Sequence, residues 1–347
     1  MPDPADSRRA AAPRPPALVP PGTASARDGL RRGRLLSWPL LAGLVVTAAL
    51  VALSLFVGVY DIFGGRDGSA MFGITRVPRT VALVLAGAAM AMSGLVMQQL
   101  AQNRFVEPTT TGTTEWAGLG LLLVLILAPG APLLGKMAGA ILTAFAGTAV
   151  FFLFLRRVSL RSSLIVPIVG IMLGAIVSAI STFLALSAGL MQTMGAWFLG
   201  SFSAALQGQY EPIWAVLVVV VAVFIAADRF TVAGLGQDIA ANLGLHHGRI
   251  VLLGTGLIAA ASGIVTVVVG NLPFLGLIVP NIVSLFRGDD LRSNLPWVCL
   301  LGIATVTACD LVGRLVVMPF EIPVATILSI VGAAVFVLLL LRRRRHG

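Results

Sequence analysis

From Ser37 to the C-terminus the chain alternates long apolar runs with short polar breaks. Each run reaches or approaches the roughly 20 residues that a helix needs to cross a bilayer. In lipid a helix is also the single-segment structure that satisfies its own backbone. The pattern predicts ten spans, at 37–59, 77–100, 110–128, 132–155, 164–187, 211–228, 250–269, 272–286, 295–317 and 322–341. The eighth is short and holds Pro273, Gly276 and Pro280, so it is expected to be broken or kinked. Gly189–Gln209 is too polar for a span and reads as a short helix with re-entrant character. The expected fold class is an all-α, polytopic transmembrane helical bundle.

Small residues recur at helical spacing within these runs. Gly170, Gly174, Ser178 and Thr182 share one face of the fifth, and Gly87 with Ala91, and Ala86 with Gly94, share faces of the second. Such faces let helices approach closely in a membrane, where packing replaces the hydrophobic drive. The weakly polar face of the fifth run is also the candidate lining of a translocation route.

Composition strengthens the membrane assignment. Hydrophobic residues make up 58% of the chain and charged residues 11%, with a mean hydropathy of +0.98. A soluble domain carries about 25% charged residues because its surface faces water, so lipid is the solvent for much of this surface. Residues 1–34 differ: rich in Pro, Ala, Arg and Asp, they cannot bury enough apolar area to order themselves and are expected to form a disordered basic cytoplasmic tail. A cleaved signal peptide fits less well, because the apolar run that follows is long and lacks a cleavage site. The domain division is therefore 1–34 and 35–347.

The formal charge is +10. With the N-terminus cytoplasmic, 19 of the Lys and Arg residues fall in cytoplasmic segments and 5 outside. That is the positive-inside bias, and with ten spans it puts both termini in the cytoplasm. The basic residues lie between apolar runs or in the tails with no aromatic-interleaved patch, so no nucleic-acid partner is expected. Cys299 and Cys309 share one run and read as small core residues.

No catalytic constellation appears. The phosphate-cradling pattern G-x-x-x-x-G-K-[ST] is missing from the sequence, so ATP hydrolysis by that route is not expected of this chain. His246 and His247 are adjacent and would point apart on a helix, and no metal site is expected there. Glu115 and Asp310 lie within apolar runs. Asp310 either couples an ion to transport or pairs with a neighbouring helix. Arg76, Arg79 and Arg314 sit near the outer ends of their spans, against the charge bias. An acidic partner or an anionic substrate arriving from outside would account for them, as would snorkelling to lipid headgroups. The stretch Asp228–Arg249, with Gly234-Leu-Gly-Gln-Asp238 and Ala241-Asn-Leu-Gly-Leu245, is long for a connection and mixes apolar with polar residues, which suits docking against a soluble partner.

Several short motifs follow one another in order. They are Arg76-Val-Pro-Arg-Thr80, Gly87-Ala-Ala, Ser93-Gly94, Gln98 and Gln102-Asn-Arg-Phe-Val-Glu-Pro108, then Trp197-Phe-Leu-Gly-Ser201 and Ala241-Asn-Leu-Gly-Leu245. Pro273-Phe-Leu-Gly-Leu-Ile-Val-Pro280, Asp310-Leu-Val-Gly-Arg314 and Glu321-Ile-Pro323 complete the series. From about residue 37 onward the chain resembles the ferric-siderophore and cobalamin permease family of ABC importers.

The resemblance implies a ten-span subunit of the cell membrane that forms a homodimer, or a heterodimer with a paralogous permease, with the substrate route along the dimer axis. It implies two ATPase subunits, which bind the ATP and magnesium, and an extracytoplasmic binding protein or lipoprotein that delivers a ferric siderophore. No cofactor is implied in this chain. By the same resemblance Arg76, Arg79 and Arg314 receive carboxylates of the binding protein, and Gln237, Ala241, Leu243, Gly244 and Leu245 belong to the loop seated on the ATPase. Ser162 and Ser163 match the cytoplasmic gate, with Gly170, Gly174 and Ser178 on the pathway.

One departure bears on substrate. Many members carry Pro-His with a basic residue three positions after the His, where this chain has Pro280-Asn-Ile-Val-Ser284. Together with Arg287-Gly-Asp-Asp-Leu-Arg-Ser-Asn294 this looks like the siderophore branch. Haem or cobalamin import is the alternative within the family. An ion-coupled secondary carrier using Asp310 or Glu115 is the alternative outside it.

Overall fold

The structure, a computed structural model, describes residues 38–58, 68–157 and 165–343. The tail expected at 1–34, and Ser162 and Ser163, lie outside them. The described residues form helices joined by turns, with no strand among them. Helix α1 spans Trp38–Phe56, α2 Val77–Leu100, α3 Thr113–Leu127, α4 Leu133–Arg157, α5 Ile165–Ser187 and α6 Met191–Phe198. Then come α7 at Val216–Gly234, α8 at Gln237–Asn242, α9 at His247–Val268, α10 at Leu275–Arg287, α11 at Leu291–Leu315 and α12 at Val324–Arg343. A π-helical stretch, Phe72–Arg76, runs straight into α2.

Among the described residues seven helical segments are long and apolar enough to cross a bilayer: α1, α2 with its lead-in, α4, α5, α7 with the 3₁₀ stretch Glu211–Ala215 before it, α9 and α11. The apolar helices Thr113–Leu127, Leu275–Arg287 and Val324–Leu338 are shorter. They fall on the third, eighth and tenth expected spans. The protein is a multi-pass membrane protein.

The bundle is organised around α2. Of its most apolar window, 89% is buried within the chain, against 11% for α1. It packs against α7, α9, α10 and α11, and its composition explains how so many neighbours fit. A Cβ on Gly87 would lie 3.0 Å from the Gly302 carbonyl oxygen of α11, and one on Gly94 would lie 2.0 Å from that of Gly276 in α10. The small face expected from sequence is thus the seam of two helix crossings.

The broken span is as the prolines and glycine required, and the break is at its start. Phe274 adopts a left-handed φ of 62°, helix α10 begins at Leu275, and its 13 residues extend roughly 20 Å. That is short of the roughly 30 Å hydrocarbon core. Residues 189–209 hold α6 and then irregular chain, which is tied down by the Ser201 amide donating to the Val269 carbonyl (3.0 Å) and the Ala325 amide to the Gly200 carbonyl (3.1 Å).

Candidate functional site

At the end of the bundle where α2 starts and α11 finishes, five charged side chains converge. Asp310, one turn before Arg314 on α11, is fully buried. Its Oδ1 accepts from Arg79 Nη2 at 2.7 Å and Nε at 3.2 Å, and its Oδ2 lies 2.6 Å from Arg314 Nη2. Arg79 donates its remaining Nη1 to both oxygens of Glu321, each at 2.9 Å. Arg314 Nη1 donates to the carbonyls of Ser54 (3.1 Å) and Val57 (2.7 Å), and Nη2 to the Ser54 hydroxyl (2.6 Å). Arg76 also donates to the Val57 carbonyl. The last turn of α1 and Val57 just beyond it therefore supply acceptors to two of the three arginines.

The three arginines, which sequence placed near the outer ends of their spans, lie together here, but they do not form a free cationic surface. Arg314 is 3% exposed and Arg76 8%, because a guanidinium leaving water needs charged or carbonyl partners and these lie within reach. Against two carboxylates they leave one positive charge in excess. Asp310 is matched by both arginines, which fits the helix-pairing reading of this residue and leaves it occupied as an ion-coupling group.

Glu321, in the connection from α11 to α12, is the outermost member, its side chain 32% exposed. Burial alone would lift its carboxyl. The Ser203 hydroxyl, donating to Oε2 at 2.7 Å, and the Arg79 guanidinium outweigh that, and the group is held below its ordinary value. Arg76, Arg79, Ser203 and Glu321 line an open cleft of about 500 Å³. Phe320 of the same connection also lines it and is 75% exposed. The Arg79–Glu321–Ser203 link was not drawn from sequence, although the Glu-Ile-Pro motif was visible, because its members lie more than a hundred residues apart.

The opposite end carries α8. It is bracketed by Gly236 (φ 110°) and Gly244 (φ 76°), left-handed positions that suit glycine. Gln237, Ala241, Leu243 and Gly244 are exposed and Leu245 is half-buried. Ile239 and Leu243, one turn apart on α8 and its C-terminal cap, form a short exposed apolar row, and Leu235 just before Gly236 is exposed as well, a feature the sequence reading did not resolve. Ion pairs Arg104–Asp289 and Arg292–Asp228 tie the connections around this end together. His246 and His247 stand at the start of α9, and no metal-binding group of three ligands occurs among the described residues.

On α5 the small residues divide. Gly170 and Gly174 are buried: a Cβ on Gly170 would lie 2.4 Å from the Thr110 carbonyl oxygen, and one on Gly174 3.2 Å from the Gly112 Cα. They admit the chain entering α3 rather than face a route. Ser178 is exposed. Sequence reasoning also passed over Glu107, which is fully buried between α2 and α3. It accepts from the Phe274 amide at 2.8 Å and from the Thr109 hydroxyl, fastening the chain immediately before α10. Gln98 secures the same turn by donating to the Gly276 carbonyl (3.2 Å). The signal that would have found Glu107 is a lone carboxylate followed by proline between two apolar runs.

Known proteins share this architecture along the whole bundle. The chain is 60% identical over 307 residues to the petrobactin import system permease protein FatD of Bacillus anthracis, covering 88% of this chain and 92% of that one. It is 40% identical over 310 residues to the petrobactin import system permease protein YclN of Bacillus subtilis, covering 87% and 98%. An inward-facing structure of a metal-chelate type ABC transporter superposes with a TM-score of 0.74 at 24% identity, over 87% of this chain and 98% of the other, and so shares the fold. Residues 37–342 match the FecCD transport family, to which the chain belongs.

Proposed function

We propose that this chain is the membrane-spanning permease subunit of an ATP-driven importer that moves a ferric siderophore of the petrobactin class into the cell. The observation that carries the reading is the 60% identity, over nearly the whole of both chains, to a petrobactin import permease. The ion-coupled alternative is weakened by Asp310, whose carboxylate is taken up by Arg79 and Arg314. In a strain deleted for the gene, uptake of radioactive iron from ferric petrobactin is expected to fall to background and to return with the gene on a plasmid. Unchanged uptake in the deletion strain, with no second permease for that chelate, would refute the substrate assignment.

The rest of the assembly follows in the same reading. The chain forms a homodimer, or a heterodimer with a paralogous permease, and two ATPase subunits beneath it bind ATP and magnesium. Both termini are cytoplasmic and ten spans cross the membrane, which puts Gln209 outside and Asn242 inside. An impermeant thiol reagent applied to intact cells is expected to label Gln209→Cys and spare Asn242→Cys; the reverse pattern would invert the topology. The exposed row on and around α8 seats on the ATPase.

A binding protein docks at the outer end over the Arg76, Arg79 and Arg314 cluster. Its carboxylates compete with Glu321 for Arg79, the arginine at the edge of the cleft. Arg79→Ala is expected to weaken binding-protein association in nanodiscs at low ionic strength, and the same affinity as the wild type would remove Arg79 from the dock. Of the pathway residues, Ser178 keeps its exposed position on α5, and Gly170 and Gly174 act through close packing. The gate assigned to Ser162 and Ser163 rests on the family resemblance alone.

A further inference from the structure

Helix α8 has little of its own to hold its direction. Of its residues, Gln237–Asn242, only Ala240 is buried, and it packs on α7 and α9. Beside it lies a cavity of about 480 Å³, lined among others by Gln102, Gln237 and His247, rather than a packed core. A helix so short and so lightly buried keeps its angle through the turn that leads into it.

That turn begins where α7 ends. The last carbonyls of a helix have no partner within it. Here the Leu235 amide donates to the carbonyl of Val232 and the Gly236 amide to that of Ala233, both at 3.1 Å. The carbonyl of Gly234, next in line, accepts instead from Gln102 Nε2 at 3.1 Å. A Cβ on Gly236 would lie 3.2 Å from the same nitrogen, and one on Gly234 2.1 Å from Gln99 Oε1. The turn into α8 is therefore folded against two glutamines at the end of α2.

The backbone of Gln102 singles it out. Its φ is 49°, and among the described residues Phe274 is the one other non-glycine in that left-handed region. A glutamine is disfavoured there and a glycine is not. Such a conformation persists where the surroundings hold it. Gln102 is exposed, so burial is not what holds it. What its side chain supplies and a glycine could not is the bond to Gly234. Its base is firm: the Gln102 amide donates to the Gln99 carbonyl (3.2 Å) and the Asn103 amide to the Gln98 carbonyl (3.0 Å).

We infer that Gln102 is the positioning residue of α8: its carboxamide fixes the angle at which α8 leaves α7, and so how Ile239 and Leu243 are presented. The positioning stands on the contacts above; its consequence for transport rests on the reading of α8 as the seat of the ATPase.

The test uses the full chain in nanodiscs with Cys299→Ala and Cys309→Ala, and nitroxide labels at Arg229→Cys on α7 and Asn242→Cys on α8. Two variants are compared with Gln102. Gln102→Gly suits the backbone better and removes the side chain; Gln102→Glu keeps its length but has no N–H to donate. Pulsed electron paramagnetic resonance is expected to show a broader distance distribution in both. Without the labels, both should bind the ATPase about fivefold more weakly, the worth of one hydrogen bond. Unchanged distances in Gln102→Gly would overturn the inference by reducing residue 102 to a backbone turn. Unchanged distances in Gln102→Glu would overturn it by reducing the side chain to a space filler. Leu243→Asp separates the two readings. Broadened distances, with Leu243→Asp binding the ATPase like the wild type, would support the positioning and refute the ATPase seat. Weakened binding in Leu243→Asp, with distances and binding unchanged in the Gln102 variants, would keep the seat and refute the positioning.

Discussion

Asp310 holds the polar end of the bundle together, because buried Arg314 and partly buried Arg79 share its carboxylate. Taking one partner away from a buried ion pair leaves the other charge uncompensated, which costs about 3–5 kcal/mol. Asp310→Asn is therefore expected to lower stability in detergent by about 3 kcal/mol or more, and Glu321→Gln, whose pair with Arg79 is partly exposed, by about 1 kcal/mol or less. Equal losses would contradict this ranking. Glu321 also has a pH signature. Its carboxyl is held below its ordinary value in the folded chain, so its contribution is complete above the unfolded value of about 4.3 and is lost as pH falls through the lower folded value. The difference in unfolding midpoint between wild type and Glu321→Gln should hold at neutral pH and vanish on acidification. The i, i+4 spacing of Asp310 and Arg314 was legible in sequence. The Arg79–Asp310 pair, 231 residues apart, needed the fold.

At the scale of elements, the apolar runs announced the helices because lipid leaves little else for them to do, and the run holding Pro273 and Pro280 announced a break, seen as the shortened α10. What periodicity leaves unstated is how the break is stabilised. Glu107 and Gln98 reach the start of α10 from other segments, at Phe274 and Gly276, and no local pattern encodes that meeting. The same limit applied to α5, where a stripe of small residues was compatible with a route and with packing, and the contacts of Gly170 and Gly174 with residues 110–112 are packing. Helix α8 carries the clearest test of a partner surface. A bulky residue at Gly244 would strain a backbone with φ of 76° whatever it touched, so Leu243, 61% exposed, is the cleaner probe. Leu243→Asp should leave folding unchanged, since no buried contact is lost. It should cut ATPase association at least tenfold, about 1.4 kcal/mol, by placing a charge in an apolar seat. Wild-type association would remove this row from the coupling surface.

The whole molecule joins two ends that differ in kind. One is a buried ion-pair network beside an open cleft; the other is an apolar row raised on a short helix between two glycines. The central helix α2 runs between them, from Arg79 to the turn before Arg104. Most of its surface is closed off by other parts of the same chain. Whether transport through this chain is driven by ATP hydrolysed on a partner is decided in proteoliposomes. These would contain this chain, any paralogous permease encoded beside it and the cognate ATPase, with the binding protein and radioactive ferric petrobactin supplied on the binding-protein face. Iron accumulation is expected to require ATP and magnesium on the ATPase face, to stop when the binding protein is omitted, and to persist when proton and sodium gradients are collapsed. Accumulation driven by an ion gradient without ATP would contradict it.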